Sequence, residues 1–309
     1  MHSSGASLFI FVYFAITMEF RPIPCHESLR PFIRNYWVLS AHCTASGTQQ
    51  IFSNGAASLH FYLSQDIKID DGDRHYRTVL FHQNIQKVGV VTEEGAFDVF
   101  GAEFVPFCSR VFFPNEMTGI YASPEDLQDD EFILLSKNIY EAESMEQRVE
   151  LLDDFFLRRL AQFPEGDINI ERLSDVFDNI LPTDGSTVHP PHSQNEFSTT
   201  DLASTACLSQ KQFTRVFNKY VGMNPKSYLR LLRFHKALME IQSSSDSSSL
   251  THIAWSCGYY DLAHMTSDFR DICDFSPSEL IQHGQELTET FGQKFSGLMK
   301  KKIKIENLI

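Results

Sequence analysis

The chain of 309 residues contains 6 cysteines but no Cys-x-x-Cys pair, and no histidine stands at zinc-finger spacing from any of them. That excludes a recognisable zinc motif and predicts reduced thiols in a cytosolic protein. Long apolar runs are lacking as well. The run from Leu8 to Ile16 has 9 residues, whereas a bilayer-spanning helix needs about 20. No Lys or Arg precedes Arg21, so the basic start of a secretory signal is missing too. Met18-Glu19-Phe20-Arg21 reads as an alternative start. Residues 1–17 are therefore expected to be an apolar lead, either a translation-start artefact or an arm, with no membrane as partner. Positive charge is also scarce, with 26 Lys+Arg against 40 Asp+Glu and a net charge of −14. Evenly spread, such acidity would repel nucleic acid.

It is not evenly spread. Residues 1–194 carry 13 basic and 28 acidic side chains, residues 195–283 carry 8 and 9, and residues 284–309 carry 5 and 3. The acidity belongs to the front part. Behind it, residues 198–281 repeat one pattern twice. Leu202-Ala203, Leu208, Phe213, Phe217, Val221 and Pro225 are matched by Ile253-Ala254, Tyr259, Met265, Phe269, Cys273 and Pro277. The matched residues lie 51 apart before the turn and 52 apart after it. Apolar residues three and four apart build one buried helix face, and a break in each pass makes two helices around a tight turn. The expectation is a pair of helix-turn-helix units.

The front part reads differently. From Phe20 to Pro114, short apolar runs such as 58–63, 79–81, 88–91 and 97–100 alternate with turn residues, and Asp70-Asp71-Gly72-Asp73 is a hairpin signal. Many short strands at this spacing predict an antiparallel barrel or sandwich. Helices follow: one starting at Ser123-Pro124-Glu125, one over 144–163 and one over 168–180. They either cover the sheet or form a docking and dimerisation surface. Residues 182–196, rich in breakers and holding His189 and His192, read as a linker. The expected organisation is α+β, with a lead (1–17), a β-barrel domain with flanking helices (18–181), the linker (182–196), an all-α double helix-turn-helix domain (197–283) and a basic tail (284–309). The tail either follows a DNA backbone or is a disordered end.

In the first unit Ser209 can cap a helix from Gln210 to Tyr220. Phe213, Val216, Phe217 and Tyr220 face inward, leaving Gln210, Lys211, Thr214, Arg215 and Lys219 outside, a mixture suited to base edges and phosphates. A helix from Lys226 to Gln242 then carries Arg230, Arg233 and Lys236. Residues 195–241 hold 7 basic and 3 acidic side chains, whereas residues 242–283 hold 1 and 6. The second unit offers Leu262, Ala263, His264, Thr266 and Ser267, with Arg270 as its permanent cation. Asp268 and Asp271 would repel phosphates unless turned away. The first unit is thus expected to supply most of the affinity for DNA.

Leu208-Ser209, Phe213-Thr214-Arg215-Val216-Phe217, Gly222 and Asn224-Pro225 resemble the first half of the AraC/XylS family DNA-binding domain. Ile253-Ala254, Cys257-Gly258-Tyr259, Phe269-Arg270 and Phe275-Ser276-Pro277 resemble its second half. The resemblance covers residues 198–281 and implies a transcription regulator acting on double-stranded DNA with RNA polymerase. It implies base contacts from Lys211, Thr214 and Arg215, with Gln210 beside them, and from Leu262, Ala263, His264 and Ser267. Phosphate contacts would come from Ser209, Lys219, Lys226, Arg230, Arg233, Thr266 and Arg270. The family commonly has a basic residue where this chain has Ser267, which agrees with a weak second unit. Residues 20–160, with Tyr36-Trp37 and Gly101-Ala102-Glu103-Phe104, resemble an uncharacterised cupin-like sensor domain. By analogy it binds a small effector or a partner, or mediates homodimerisation.

Two other readings stay open. Cupin barrels can hold a catalytic metal, but His60, His75 and His82 are scattered and no His-x-His with a nearby Glu appears. No catalytic residue, metal ligand or cofactor is therefore assigned, and the chain is not expected to be an enzyme. A protein-interaction adaptor without an operator is the third reading.

Overall fold

A computed structural model describes residues 15–43, 45–51, 55–70, 72–82, 88–113, 120–163, 167–180, 197–243 and 250–281. The expected linker, the basic tail and most of the apolar lead lie outside the described residues. Ten strands come first: β1 (Ala15–Ile23), β2 (Ile33–Cys43), β3 (Gly47–Ile51), β4 (Ser58–Tyr62), β5 (Ile67–Ile69), β6 (His75–Tyr76), β7 (Thr78–Phe81), β8 (Val88–Thr92), β9 (Gly95–Phe104) and β10 (Tyr121–Ala122). Helices α1 (Ser109–Phe112), α2 (Asp130–Glu141), α3 (Met145–Gln162) and α4 (Ile168–Ile180) overlap and follow them. Then come α5 (Thr199–Thr205), α6 (Gln210–Val221), α7 (Pro225–Ser243), α8 (Leu250–Ser256) and α9 (Leu262–Cys273).

The fold is α+β, and the expected barrel is realised as two antiparallel sheets. One has six strands in the order β1-β2-β9-β4-β7-β10, the other four in the order β3-β8-β5-β6. The Asp70–Asp73 turn sits between β5 and β6, as its composition predicts. Asp70 adopts a positive φ of 51°, which Asp tolerates better than most residues, and its carboxylate accepts the Gly89 amide at 2.8 Å. Strand β1 begins at Ala15 and pairs Thr17 with His42, so the expected boundary between residues 17 and 18 falls inside a strand.

The long strands β2 and β9 form the middle of the larger sheet, and Trp37 lies opposite Gly101. A Cβ at Gly101 would come within 2.4 Å of Trp37 Cζ2 and 2.6 Å of the Leu59 carbonyl. The indole therefore occupies the space a side chain would need. Over the sheet, Phe132, Leu135 and Ile139 of α2 and Leu152, Phe155 and Phe156 of α3 join Phe100, Phe104, Phe112 and Phe113 in one buried core. Several ring pairs meet edge to face, as with Phe112 and Phe156 at 4.8 Å, an arrangement that their quadrupoles favour, and others are tilted.

Helix α2 starts later than its sequence suggests. Ser123 and Asp126 cap one another's amides at 2.9 and 3.2 Å, but Gln128 takes a φ of 51° and interrupts the turn. Asp129 then caps α2 through the Phe132 amide at 3.0 Å. Helix α3 begins as expected, with Ser144 and Gln147 forming a capping box.

The chain divides into two compact units. Among the described residues, one holds residues 15–173 with Arg215–Asn224 and the other Ser174–Thr214 with residues 225–281. The division falls inside α4 and again inside α6. Val176, Phe177 and Ile180 are buried, and the Phe177 ring meets Tyr228 of α7 at 5.3 Å. The second half of α4 is amphipathic, and its apolar residues are used in the C-terminal unit.

Arg159 ties the helices of the N-terminal unit together. Its guanidinium reaches Asp129 at 2.6 Å, with both side chains about nine-tenths buried, and donates to the Phe112 carbonyl at 2.7 Å. Burial alone would raise the Asp129 carboxyl, but Arg159 and the Phe132 amide outweigh it and hold the carboxyl below its usual range. A carboxyl depressed in the folded state adds stability above its unfolded value and loses that stability as pH falls through its folded value. Arg159→Gln should cost about 3 kcal/mol at pH 7 in urea unfolding, because it leaves a buried charge unpaired. The gap to the unmodified protein should close below about pH 4; a gap independent of pH would contradict the pairing.

Candidate nucleic-acid interface

The two passes of the repeat share backbone geometry down to single hydrogen bonds. In the first, Ser198 and Asp201 form a capping box that starts α5, and the Leu208 amide closes the turn on the Ala203 carbonyl at 2.9 Å. In the second, the Tyr259 amide makes the same bond to Ala254 at 2.9 Å. The residue just before each takes a positive φ, 51° at Cys207 and 83° at Gly258. Between turn and recognition helix the second pass has one extra residue, Tyr260, which changes the offset from 51 to 52. Tyr260 is 90% exposed, so the insertion is carried outward and the helix packing is kept.

Helix α6 buries Phe213, Phe217, Tyr220 and Val221 and exposes Gln210, Lys211, Thr214, Arg215 and Lys219. Its start is capped reciprocally. Ser209 Oγ accepts the Gln212 amide at 3.4 Å and donates to the Gln212 side chain at 2.7 Å, so the Ser209 proton expected to meet a phosphate serves the cap instead. The Gln210 amide donates to the Thr200 hydroxyl, which leaves its carbonyl for a base edge. Among the described residues, Lys211, Arg215 and Lys226 form no ion pair, and all three are exposed. Lys219 rests 5.4 Å from the Tyr220 ring.

Apart from Lys226, the cations of α7 are engaged within the protein. Arg230 is clamped between Asp268 and Asp271 of α9, 2.7 Å from each. Arg233 lies over the Tyr259 ring at 5.4 Å. Lys236 donates to the Ser256 carbonyl at 2.8 Å. A guanidinium beside a carboxylate that is 5% exposed stays there, because pulling it away would strand a buried charge. These side chains therefore fasten α7 to the second unit, alongside Phe234 and Phe269 with ring centroids 4.7 Å apart.

In α9 the outward residues are Ala263, His264, Ser267 and Arg270, with Leu262 and Thr266 half-buried. Asp261 caps the helix through the His264 amide at 2.7 Å. The Thr266 hydroxyl donates to the Leu262 carbonyl at 2.8 Å, so its proton too is engaged within the helix and not offered to a phosphate. Of the two acids expected to repel DNA, Asp268 is turned inward and Asp271 is held by Arg230. Pattern reading overlooked Trp255, 68% exposed at the end of α8, and Tyr260 in the following turn. The shift in repeat offset was the available signal for Tyr260.

Among the described residues, no group of three or more His, Cys, Asp or Glu could hold a metal ion. His60 sits in a buried cage, 2.9 Å from the Ser58 hydroxyl and edge-on to Trp37 at 4.9 Å. Burial pushes its pKa down to about 3, and the ring remains neutral.

A family model described as a helix-turn-helix domain matches residues 202–283, and relatives carry the names of HTH-type transcriptional activators and regulators. The chain carries a helix-turn-helix domain. A second model, a domain of unknown function (DUF6597), matches residues 21–123. The transcriptional activator RhaS of Escherichia fergusonii is 37% identical over 81 residues, covering 26% of this chain and 28% of that protein. The regulator ArgR of Pseudomonas aeruginosa is 28% identical over 86 residues, covering 28% of this chain and 26% of that one. The chain thus spans under a third of the length of these relatives. Among solved structures, ToxT from Vibrio cholerae bound to a methylnaphthalenyl butenoic acid is similar at 11% identity and a TM-score of 0.45, covering 80% of this chain and 98% of that one. The DNA-binding domain of AdpA in complex with a target DNA is 20% identical with a TM-score of 0.31, covering 39% and 96%. No helix among the described residues is long and apolar enough to cross a membrane.

The clamp gives a direct test. Arg230→Gln alone strands the Asp268 carboxylate and should cost about 3 kcal/mol in urea unfolding. Arg230→Gln with Asp268→Asn leaves a neutral pair and should recover most of that loss. Equal costs for the single and double variants would contradict the pairing.

Proposed function

We propose that this protein is a sequence-specific, DNA-binding transcription regulator in which α6 supplies most of the affinity and α9 adjusts the fit. The observation that carries this reading is the doubled helix-turn-helix whose first recognition helix exposes Lys211, Thr214 and Arg215 with no ion pair among the described residues. Arginine and lysine meet guanine edges and phosphates, and threonine meets either a base or its methyl group. In α9, Ala263, His264 and Ser267 offer methyl and weaker polar contacts, with Arg270 for a phosphate. The names of the matched relatives, all regulators, support the same reading.

In this reading the N-terminal unit senses a small effector. The partners are double-stranded DNA, RNA polymerase and a second copy of the chain, the protein works in the cytoplasm, and it is not an enzyme. Selection from random DNA should enrich one family of sites. On such a site, Lys211→Ala and Arg215→Ala should each weaken binding about tenfold or more in a gel-shift titration, and His264→Ala and Ser267→Ala less than about threefold. Equal losses from both helices, or no enrichment at all, would contradict the proposal.

A further inference from the structure

The N-terminal unit has a cleft that neither the DNA-binding reading nor the sheet core uses. It encloses about 410 Å³, within the range of small-molecule sites. One wall is β6 and β7, another the turn at Ser123–Glu125. The third is a single face of α2, formed by Ile133, Ser136, Lys137 and Tyr140, which recur three and four residues apart and so lie together on a helix.

Arg74, Arg77 and Lys137 line the cleft, and Glu125 is its one carboxylate among the described residues. The two guanidiniums are also fixed in place. Arg74 pairs with Asp126 at 2.5 Å, donates to the Ser123 hydroxyl at 2.7 Å and lies over Tyr76 at 4.8 Å. Arg77 pairs through Nε with Asp66 at 3.1 Å and lies over Tyr140 at 3.9 Å. Both terminal nitrogens of Arg77 remain without a partner among the described residues. Arg74 has both terminal nitrogens engaged, with Glu125 also 3.8 Å away, whereas the Arg77 fork, held through Nε with donors left on the other side, is pre-organised for a carboxylate or phosphate, because little rotamer freedom remains to be lost.

The rest of the lining is hydroxylated. Thr78 Oγ1 lies 2.5 Å from Ser136 Oγ and 2.9 Å from the Tyr140 hydroxyl, and Tyr140 donates to the Arg77 carbonyl. Ile133 and Pro124 are the aliphatic side chains there. These hydroxyls already partner one another, and their oxygens have acceptor capacity left that the hydroxyls of a ligand can use and a greasy ligand cannot.

We propose that this cleft binds a small hydroxylated organic anion, a sugar phosphate or a sugar acid, with its charged head on Arg77. The proposal deepens the reading of the N-terminal unit as a sensor. Because calorimetry needs no DNA, it tests the site separately from the regulator. Full-length protein should be titrated with glucose 6-phosphate, gluconate, neutral glucose and inorganic phosphate. One of the two organic anions should bind saturably at one site. Neutral glucose should give no saturable heat, and inorganic phosphate should bind more weakly. Arg77→Gln should weaken the anion about tenfold or more. Lys137→Gln, at an exposed position, should weaken it measurably and serves if Arg77→Gln unfolds. No saturable heat with either organic anion, or binding unchanged in these variants, would overturn the site. Equal affinity for inorganic phosphate would overturn the assigned ligand class. A protein that binds the anion but enriches no DNA would instead count against the regulator.

Discussion

One guanidinium facing two carboxylates decides how the C-terminal unit can meet a polyanion. Arg230 reaches from α7 to Asp268 and Asp271, 2.7 Å from each, and Asp268 is buried. Once that charge is inside, it must keep its partner, since separation costs several kcal/mol and no phosphate can take the guanidinium without paying that cost. Arg233 and Lys236 follow the same direction, onto Tyr259 and the end of α8. Beyond its first turn the connecting helix thus commits its cations to cohesion, and the exposed positive charge left for DNA is concentrated on α6 and on Lys226 at the start of α7.

This changes what the charge counts mean. Residues 195–241 hold 7 basic and 3 acidic side chains and residues 242–283 hold 1 and 6, which suggests an attractive half beside a repulsive one. The clamp moves one positive charge across that boundary and neutralises carboxylates that would otherwise face phosphates. The contrast in field between the halves is smaller than the counts imply. What survives is a contrast in available donors, with Lys211, Arg215 and Lys219 on α6 and Arg270 alone among permanent cations on α9.

The repeat was legible because its signals are local. Apolar spacing, a capping residue and a turn lie within about ten residues of one another, and even the insertion of Tyr260 is written in the offset. The clamp was not legible, because Arg230 and Asp268 are 38 residues apart in the chain and an acid on a helix gives no sign of being buried. Sequence alone therefore makes Arg230 a phosphate contact and Asp268 a charge that repels phosphate unless turned away. The same limit applies in front: the strand runs and the Asp70–Asp73 turn could be read, but not their division between two sheets. Nor could α4 be apportioned, since an amphipathic helix does not name the surface it will cover. The cationic cleft combines Arg74, Arg77 and Lys137 from a strand region and a helix, a convergence that only the fold creates.

The central claim is that Arg230 belongs to the fold and Arg215 to the DNA. The salt dependence of binding to a selected DNA site tests it most directly, since each cation withdrawn from a phosphate lowers the slope of log K against log salt by about one. The account predicts an unchanged slope for Arg230→Gln with Asp268→Asn and a slope lowered by about one for Arg215→Gln. A drop of about one in the Arg230 variant, or none in the Arg215 variant, would contradict it.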